Sequence, residues 1–449
     1  MDFAGVRVLV VGLGRSGRAA VELLCSRGAL VRATDLKQPE SAALERLRAL
    51  NVEFRLQTPE VFENVEWIVL SPGVPADLPE LEAARARGVR VIGEVELASY
   101  YLQGPVLGVT GSNGKTTTTA LAGHILRHCG IAAQVGGNIG TPVCALVETS
   151  RPDQWNVLEL SSFQLETIER FRAQVAVALN VTPDHLDRHR TFENYAAQKA
   201  RLFQTQTESD FAVLNRDDPT CASWAGLTRA QVRWFSVQGA TPEGACLRES
   251  ELWLEGRPFM PASEIPLRGL HNVENVLAAA LAARLAGASP EGIRDAVRAF
   301  PGVEHRLEFV RRLRGVDFYN DSKATNVDAT LKALAAFDTP LWVILGGKDK
   351  DGDYRPLREP LARKARAVLL IGAAAGKIAE QLGDAAPLIF CGTLEKAVEY
   401  AWQNAQAGDT VLLAPACASF DQFENFEHRG RVFKELVAKL AARHGQEGA

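Results

Sequence analysis

No Cys-x-x-Cys pair occurs in the 449 residues, and the seven cysteines (Cys25, Cys129, Cys144, Cys221, Cys246, Cys391, Cys417) are scattered and odd in number. The simplest reading is a reduced cytoplasm, with most thiols serving as small core residues. A strong charge of either sign is also lacking. Fifty Lys and Arg stand against 54 Asp and Glu, a net charge of -4. That balance gives no field to gather nucleic acid or an anionic membrane surface. No uninterrupted apolar run reaches the ~18 residues of a membrane span. The N-terminus enters a strand-like run directly after Asp2 and Phe3, without a basic and apolar leader. Internal repeats and low-complexity tracts are absent too. The expectation is a cytoplasmic protein with no nucleic-acid partner and no membrane insertion.

What is present is a globular composition, 47% hydrophobic and 23% charged, in a chain long enough for about three domains. Apolar, β-branched runs recur: Val6–Val11, Trp67–Leu70, Val106–Thr110, Val157–Leu160, Val175–Leu179, Leu341–Leu345, Ala367–Ile371, Pro387–Phe390 and Thr410–Leu413. Helix-like stretches such as Gly17–Arg27, Thr116–Cys129 and Tyr195–Thr205 lie between them. This alternation predicts an α/β fold with largely parallel, buried strands. Breaks near "VIGEVELASYY" and "RAFPGVEHR" place domains at 1–93, 94–300 and 301–449. Residues 237–261 lack helical period and read as short antiparallel strands or a surface excursion.

The strongest chemical feature is "VLGVTGSNGKTTTTALAGHIL", a strand, a glycine loop (Gly111, Ser112, Asn113, Gly114, Lys115, Thr116) and a helix start. Such a loop turns backbone N–H groups inward around phosphate, and the helix N-terminus adds its positive end. Lys115 would meet the β/γ-phosphates and Thr116 would offer its hydroxyl to Mg²⁺. Val109 stands where the standard P-loop has its first glycine. "WNVLELSSFQLE" puts one carboxylate, Glu159, in a buried strand, which is costly unless it is paired or binds metal. Given Thr116, it is a natural second oxygen ligand to Mg²⁺.

"ALNVTPDHLDRH" carries Asp184, His185, Asp187 and His189 beyond a strand end, where ligands of open α/β sheets sit. Taken alone, His185 reads equally well as structural or catalytic. Lys199, in "YAAQKARLF", reads by itself as a solvated helix lysine. "GLGRSG" (Gly12 to Gly17) follows the first strand and Asp35 ends the second, an arrangement suited to a dinucleotide. An NAD-dependent dehydrogenase is therefore one reading, though it leaves Gly111–Thr116 and the last third unexplained. A non-catalytic nucleotide-binding module is another, opposed by the density of carboxylate, His and Lys at loop positions.

"GSNGKTT", "GGNIG", "LELSSFQLE", "NVTPDHLDRH", "HR", "NDSKATN" and "PACASFDQFENFEHRG" follow in one order along nearly the whole chain. In these motifs the chain resembles the Mur ligases of bacterial cell-wall synthesis. The earlier motifs are shared with folylpolyglutamate synthases, whereas "LSSFQLE", "NDSKATN" and "SFDQFENFEHRG" point to the D-glutamate-adding branch. The resemblance implies a Rossmann-like domain for a UDP-linked substrate at 1–93, a central P-loop-type ATPase α/β domain at 94–300, and a Rossmann-like amino-acid and ATP domain at 301–449. It implies an ATP-dependent amide ligase that joins D-glutamate to UDP-N-acetylmuramoyl-L-alanine through an acyl phosphate, acting as a monomer. Other Mur ligases and folylpolyglutamate synthases stay open as alternatives.

The implied residues follow. Catalysis falls to Lys115, His185 and Lys199. ATP contacts are Gly111 to Thr117, Asn272, Asn275, Arg306 and Asp321. Thr116 and Glu159 bind one Mg²⁺, and His185 with a CO₂-carbamylated Lys199 binds a second. That carbamate reverses the plain reading of Lys199, because a bare ammonium cannot ligate Mg²⁺. The UDP-linked substrate falls to Leu13, Gly14, Arg15, Ser16, Asp35, Ser71, Gly73, Asn138 and His185. D-Glutamate falls to Lys323, Thr325, Ser419, Phe426 and, counting from the glycines of "GGKDKDGDY", Lys350 rather than Lys348.

Overall fold

A computed structural model describes residues 1–447. The β-branched runs form three separate sheets. The first contains β1 (Arg7–Val11), β2 (Leu30–Asp35), β3 (Glu53–Leu56), β4 (Trp67–Leu70) and β5 (Arg90–Gly93). All pairs are parallel, in the order β3-β2-β1-β4-β5. Residues 8–11 of β1 are wholly buried because helices cover both faces. Gly12 turns the chain out of β1 at φ +84, and a Cβ at Gly17 would lie 1.8 Å from the Gly12 carbonyl oxygen. Those two glycines let the helix Arg15–Ser26 start directly above the strand.

The second sheet contains β6 (Val106–Thr110), β7 (Ala133–Gly137), β8 (Trp155–Glu159), β9 (Val175–Ala178), β10 (Phe211–Asn215), β11 (Gln231–Ser236), β12 (Ala245–Arg248), β13 (Glu251–Leu254) and β14 (Arg257–Pro261). Its order is β14-β13-β12-β11-β10-β9-β6-β8-β7. The strand β6 lies between β8 and β9, so successive crossovers leave it in opposite directions. A ligand crevice opens at the carboxyl end of such a strand. The aperiodic stretch 237–261 folds into antiparallel strands as expected, and its first strand adds to β11 in parallel.

The third sheet contains β15 (Glu308–Leu313), β16 (Val316–Asn320), β17 (Leu341–Gly346), β18 (Ala365–Ile371), β19 (Leu388–Gly392) and β20 (Thr410–Leu413), in the order β15-β16-β20-β17-β18-β19. The edge strand β15 was not expected. Its sequence, EFVRRL, places two arginines on an exposed antiparallel edge and lacks the apolar run of a central strand. The parallel pairing of β16, β20 and β17 brings their carboxyl ends side by side.

By compactness the chain forms two units. One comprises residues 1–264 with 274–300, and the other residues 265–273 with the chain from Pro301 onward. Among the described residues no helix is long and apolar enough to cross a membrane.

Inside the first unit, the buried Glu94 opens the helix Glu94–Ser99 and accepts the Cys144 backbone N–H at 2.6 Å. Its other oxygen has no hydrogen-bond partner, and burial raises its pKa to about 7. An unfolded Glu ionises near 4.5, so below that pH both states carry the proton. Between 4.5 and 7 only the unfolded chain gives it up, and the fold loses stability as pH rises. The Glu94→Gln variant is expected to lack this loss, worth about 3 kcal/mol. Thermal midpoints of the two proteins across pH 4.5 to 8 would diverge in favour of the variant, and parallel curves would refute the assignment.

Candidate active site

The loop after β6 is held by its own hydrogen bonds. Gly111 (φ +152) and Gly114 (φ +84) take conformations that side chains resist. The Asn113 N–H donates to Asn180 Oδ1 at 2.8 Å, and Asn180 Nδ2 donates back to the Asn113 carbonyl at 3.1 Å. Ser112 Oγ donates to the Thr182 carbonyl at 3.0 Å and lies 3.1 Å from the Tyr195 hydroxyl. Gly114 is the N-cap of the helix Lys115–His128. Lys115 Nζ curls back to donate to the carbonyls of Gly111 (2.8 Å) and Ser112 (2.9 Å). The result is a phosphate-type cradle at the head of a helix.

Glu159 ends β8 and is 1% exposed. Its position at the strand end is not a solvated one. Thr116 Oγ1 donates to Glu159 Oε2 at 2.7 Å and Asn138 Nδ2 donates to Glu159 Oε1 at 2.8 Å. The Asn138 backbone N–H also bonds the Glu159 carbonyl at 2.9 Å. Asn138 thus stands with the carboxylate at the loop. A carboxylate and a hydroxyl beside a phosphate-type loop form the hard-oxygen donor set that Mg²⁺ takes.

The solvated reading of Lys199 is overturned. It lies on the buried face of the helix Phe192–Gln204 and is 1% exposed. Its Nζ donates to the Gly111 carbonyl at 2.8 Å, the oxygen that Lys115 also uses, and sits 4.5 Å from the centre of the Tyr195 ring. Burial first, and the Lys115 charge second, hold its pKa well below the usual lysine value. His185 is held at φ +54, its backbone N–H on Asp184 Oδ1, with its ring 4.9 Å from Phe163 and 6.5 Å from Tyr195. Tyr195 is therefore the shared neighbour of Ser112, His185 and Lys199. Sequence reasoning passed over it, as it did Asn180 and Thr182. Tyr195 sits four positions before Lys199 on one helix face, a spacing that could have linked them.

The loop after β1 gathers the residues expected there. Asp35 accepts the Leu13 N–H at 2.6 Å and the Lys37 N–H at 3.3 Å. Leu13 is buried in the core, while Gly14 and Arg15 are exposed and Ser16 is half-buried. The Ser71 side chain stands at the inner edge, 3.9 Å from the position of a Cβ on Gly14, and Gly73 has open space around it. Asp35 thus braces the loop itself.

In the second unit, Asp321 follows β16, is buried, and has its carboxyl raised to about 7 by that burial, opposed by the Arg306 guanidinium and the Leu307 N–H. Asn272 Nδ2 caps the Arg268 carbonyl at 2.7 Å. Asn275 belongs to the first unit, where Thr118 Oγ1 donates to its Oδ1 at 3.3 Å. Lys323 Nζ lies 3.9 Å from the centre of the Phe426 ring. The Thr325 N–H bonds the Lys323 carbonyl at 2.8 Å, tightening that loop. Ser419 follows β20 and is buried. Lys348 exchanges two backbone hydrogen bonds with Ala418, and both Lys348 and Lys350 are exposed. Glu304, His305 and Glu308 also cluster, but Lys434 Nζ ion-pairs with both carboxylates and stands where a cation would.

Family models match three stretches: the Mur ligase MurD-like N-terminal domain at 6–93, the Mur ligase middle domain at 109–283, and the Mur ligase glutamate ligase domain at 305–417. The UDP-N-acetylmuramoylalanine–D-glutamate ligase of Solibacter usitatus is 63% identical, over 98% of this chain and 99% of its own length. That of Acidobacterium capsulatum is 54% identical over 97% of each. Among solved structures, the UDP-N-acetylmuramate–alanine ligase MurC of Thermotoga maritima is 19% identical with a TM-score of 0.63, covering 96% of this chain and 99% of that one. The MurF ligase of Thermotoga maritima, solved with ADP, is 17% identical with a TM-score of 0.63, covering 98% and 96%. These two likenesses are of fold. On the family models and the full-length relatives, the chain belongs to the Mur ligase family, in its branch of UDP-N-acetylmuramoylalanine–D-glutamate ligases.

Proposed function

We propose that this chain uses ATP to join D-glutamate to UDP-N-acetylmuramoyl-L-alanine, a cytoplasmic step of peptidoglycan synthesis, working as a monomer. The observation that carries the reading is the Lys115 loop with the Thr116–Glu159 pair at its mouth, in a chain 63% identical to such a ligase. The dehydrogenase reading leaves the Lys115 loop and the Thr116–Glu159 pair without a role.

In this reading the substrate carboxylate attacks the γ-phosphorus, ADP departs, and an acyl phosphate forms. The D-glutamate amine then attacks the acyl carbon, gives up a proton, and the tetrahedral intermediate expels phosphate. Three anions must meet without repelling, so the protein's work is charge neutralisation and in-line placement. Lys115 turns from the loop carbonyls to the phosphates. Thr116 and Glu159 hold one Mg²⁺, and His185 with carbamylated Lys199 a second. Bound there, the ions withdraw charge from phosphoryl and acyl oxygens. Burial, which lowers the Lys199 pKa, raises the share of the free amine with which CO₂ reacts.

Gly111 to Thr117, Asn272, Asn275, Arg306 and Asp321 serve ATP. Gly14 to Ser16, Ser71, Gly73 and Asn138 serve the UDP-linked substrate, with Leu13 and Asp35 shaping that loop. Lys323, Thr325, Lys350, Ser419 and Phe426 serve D-glutamate, cationic and hydroxyl donors facing its carboxylates. The test is phosphate release from ATP and UDP-N-acetylmuramoyl-L-alanine across amino acids. D-Glutamate is expected to stimulate release, whereas L-alanine, L-glutamate and meso-diaminopimelate stay at background. Stimulation by one of those three without D-glutamate would sink the assignment.

A further inference from the structure

The lysine loop between β17 and the helix Arg358–Lys364 carries side chains that none of the roles above uses. Asp349 sits between Lys348 and Lys350, and its carboxylate is fully engaged. It accepts from the Gly352 N–H at 3.1 Å, from the Tyr354 hydroxyl at 2.7 Å and from Lys377 Nζ at 2.6 Å. Lys377 lies on the helix Ala375–Leu382, and Gln381, one turn later, takes the Tyr354 N–H on its Oε1 at 2.7 Å. One helix face therefore grips both ends of the loop.

Tyr354 extends the grip to a second loop. Its ring is buried in the core of the second unit, at 1% exposure, and its hydroxyl lies 3.0 Å from Cys417 Sγ as well as on Asp349. Cys417 stands two residues before Ser419. The same two loops meet a second time where Lys348 and Ala418 exchange backbone hydrogen bonds. A Cβ on Gly347 would lie 2.2 Å from the Ala418 carbonyl oxygen, so the approach also needs that glycine. A buried hydroxyl with two partners at loop ends fixes their separation better than solvent-exposed contacts do.

We propose that Tyr354 and Asp349 are positioning residues that lock the Lys350 loop to the Ser419 loop and so set the width of the D-glutamate site. The proposal rests on the assignment of Lys350 and Ser419 to D-glutamate. Removing the Tyr354 hydroxyl leaves the ring packed but frees the lysine loop. The cost is expected to fall on capture of the amino acid, because the phosphate-holding Lys115 and Thr116 open a helix after β6, and Glu159 ends β8, in the second sheet.

Tyr354→Phe is the direct test, with Asp349→Asn as a second variant and Lys350→Ala as a reference, all in the full-length protein. Initial rates of phosphate release would be measured against D-glutamate and, separately, against ATP. For Tyr354→Phe the D-glutamate KM is expected to rise about tenfold, the usual consequence of losing a buried hydrogen bond. Its kcat and ATP KM stay within about twofold, which a general loss of folding would not produce. Asp349→Asn is expected to move the same constant in the same direction. A D-glutamate KM within about twofold of wild type in Tyr354→Phe, beside a raised one in Lys350→Ala, overturns this inference alone. An unchanged D-glutamate KM in Lys350→Ala overturns the assignment of that lysine and the inference with it. Parallel rises in both KM values would show a structural role only.

Discussion

Replacing Lys199 with alanine is expected to remove nearly all ligase activity, and added short carboxylic acids are expected to restore part of it. The argument starts from burial. An ammonium at 1% exposure, sharing the Gly111 carbonyl with a second ammonium, is in a place that disfavours positive charge. Under the proposed carbamylation, a neutral amine there would react with CO₂ to give an anion of carboxylate type and reverse the sign of the charge beside Lys115. Alanine leaves a space bounded by Tyr195 and the loop, and acetate or formate can return the missing oxygens. Activity assayed with and without those acids is the measurement. A fully active variant would remove Lys199 from the chemistry, and a dead variant that no acid revives would remove the carbamate.

Glu159→Ala is expected to lower turnover on the order of 10²-fold or more, the cost of losing a metal ligand at a charged transition state. The same change leaves Thr116 Oγ1 and Asn138 Nδ2 without the acceptor they now share. Some destabilisation will therefore accompany it, of about 1–3 kcal/mol for unpaired buried donors. The two effects separate experimentally. A structural carboxylate would shift the thermal midpoint and leave kcat at saturating Mg²⁺ near wild type. A metal-binding one raises the Mg²⁺ requirement or abolishes turnover in protein that is still folded.

How far these roles could be read in advance depends on how local their cause is. Gly111, Gly114 and Lys115 announce themselves, because a glycine loop between strand and helix has few uses. Glu159 was legible for a similar reason, as a carboxylate inside an apolar run needs a partner. Lys199 was not, since a helix lysine is ordinarily solvated, even though Tyr195, Ala196 and Phe203 put this one on the apolar stripe. Only tertiary packing against the Gly111 loop buries it, and the family motifs were needed to reverse the plain reading. Asn138 stood near a substrate role in sequence and beside Glu159 in space, a contact that spans 21 residues. The edge strand β15 was missed because its arginines hide the period. Tyr354 was invisible for the opposite reason: its partners Asp349 and Cys417 lie on two loops that only the β17–β20 pairing brings together.

One arrangement at the loop bears on nucleotide binding as a whole. The Lys115 ammonium donates to two carbonyls of the loop that must receive phosphate. Nucleotide capture is then an exchange rather than an addition, in which each carbonyl given up is charged against the new phosphate contact. Free inorganic phosphate, with little else to offer, competes poorly for such a lysine. A nucleotide, with base and ribose contacts to contribute, can displace the internal ligands. The same fixed cost falls on ATP and on inorganic phosphate wherever either displaces both carbonyls, and the nucleotide has base and ribose contacts with which to offset it.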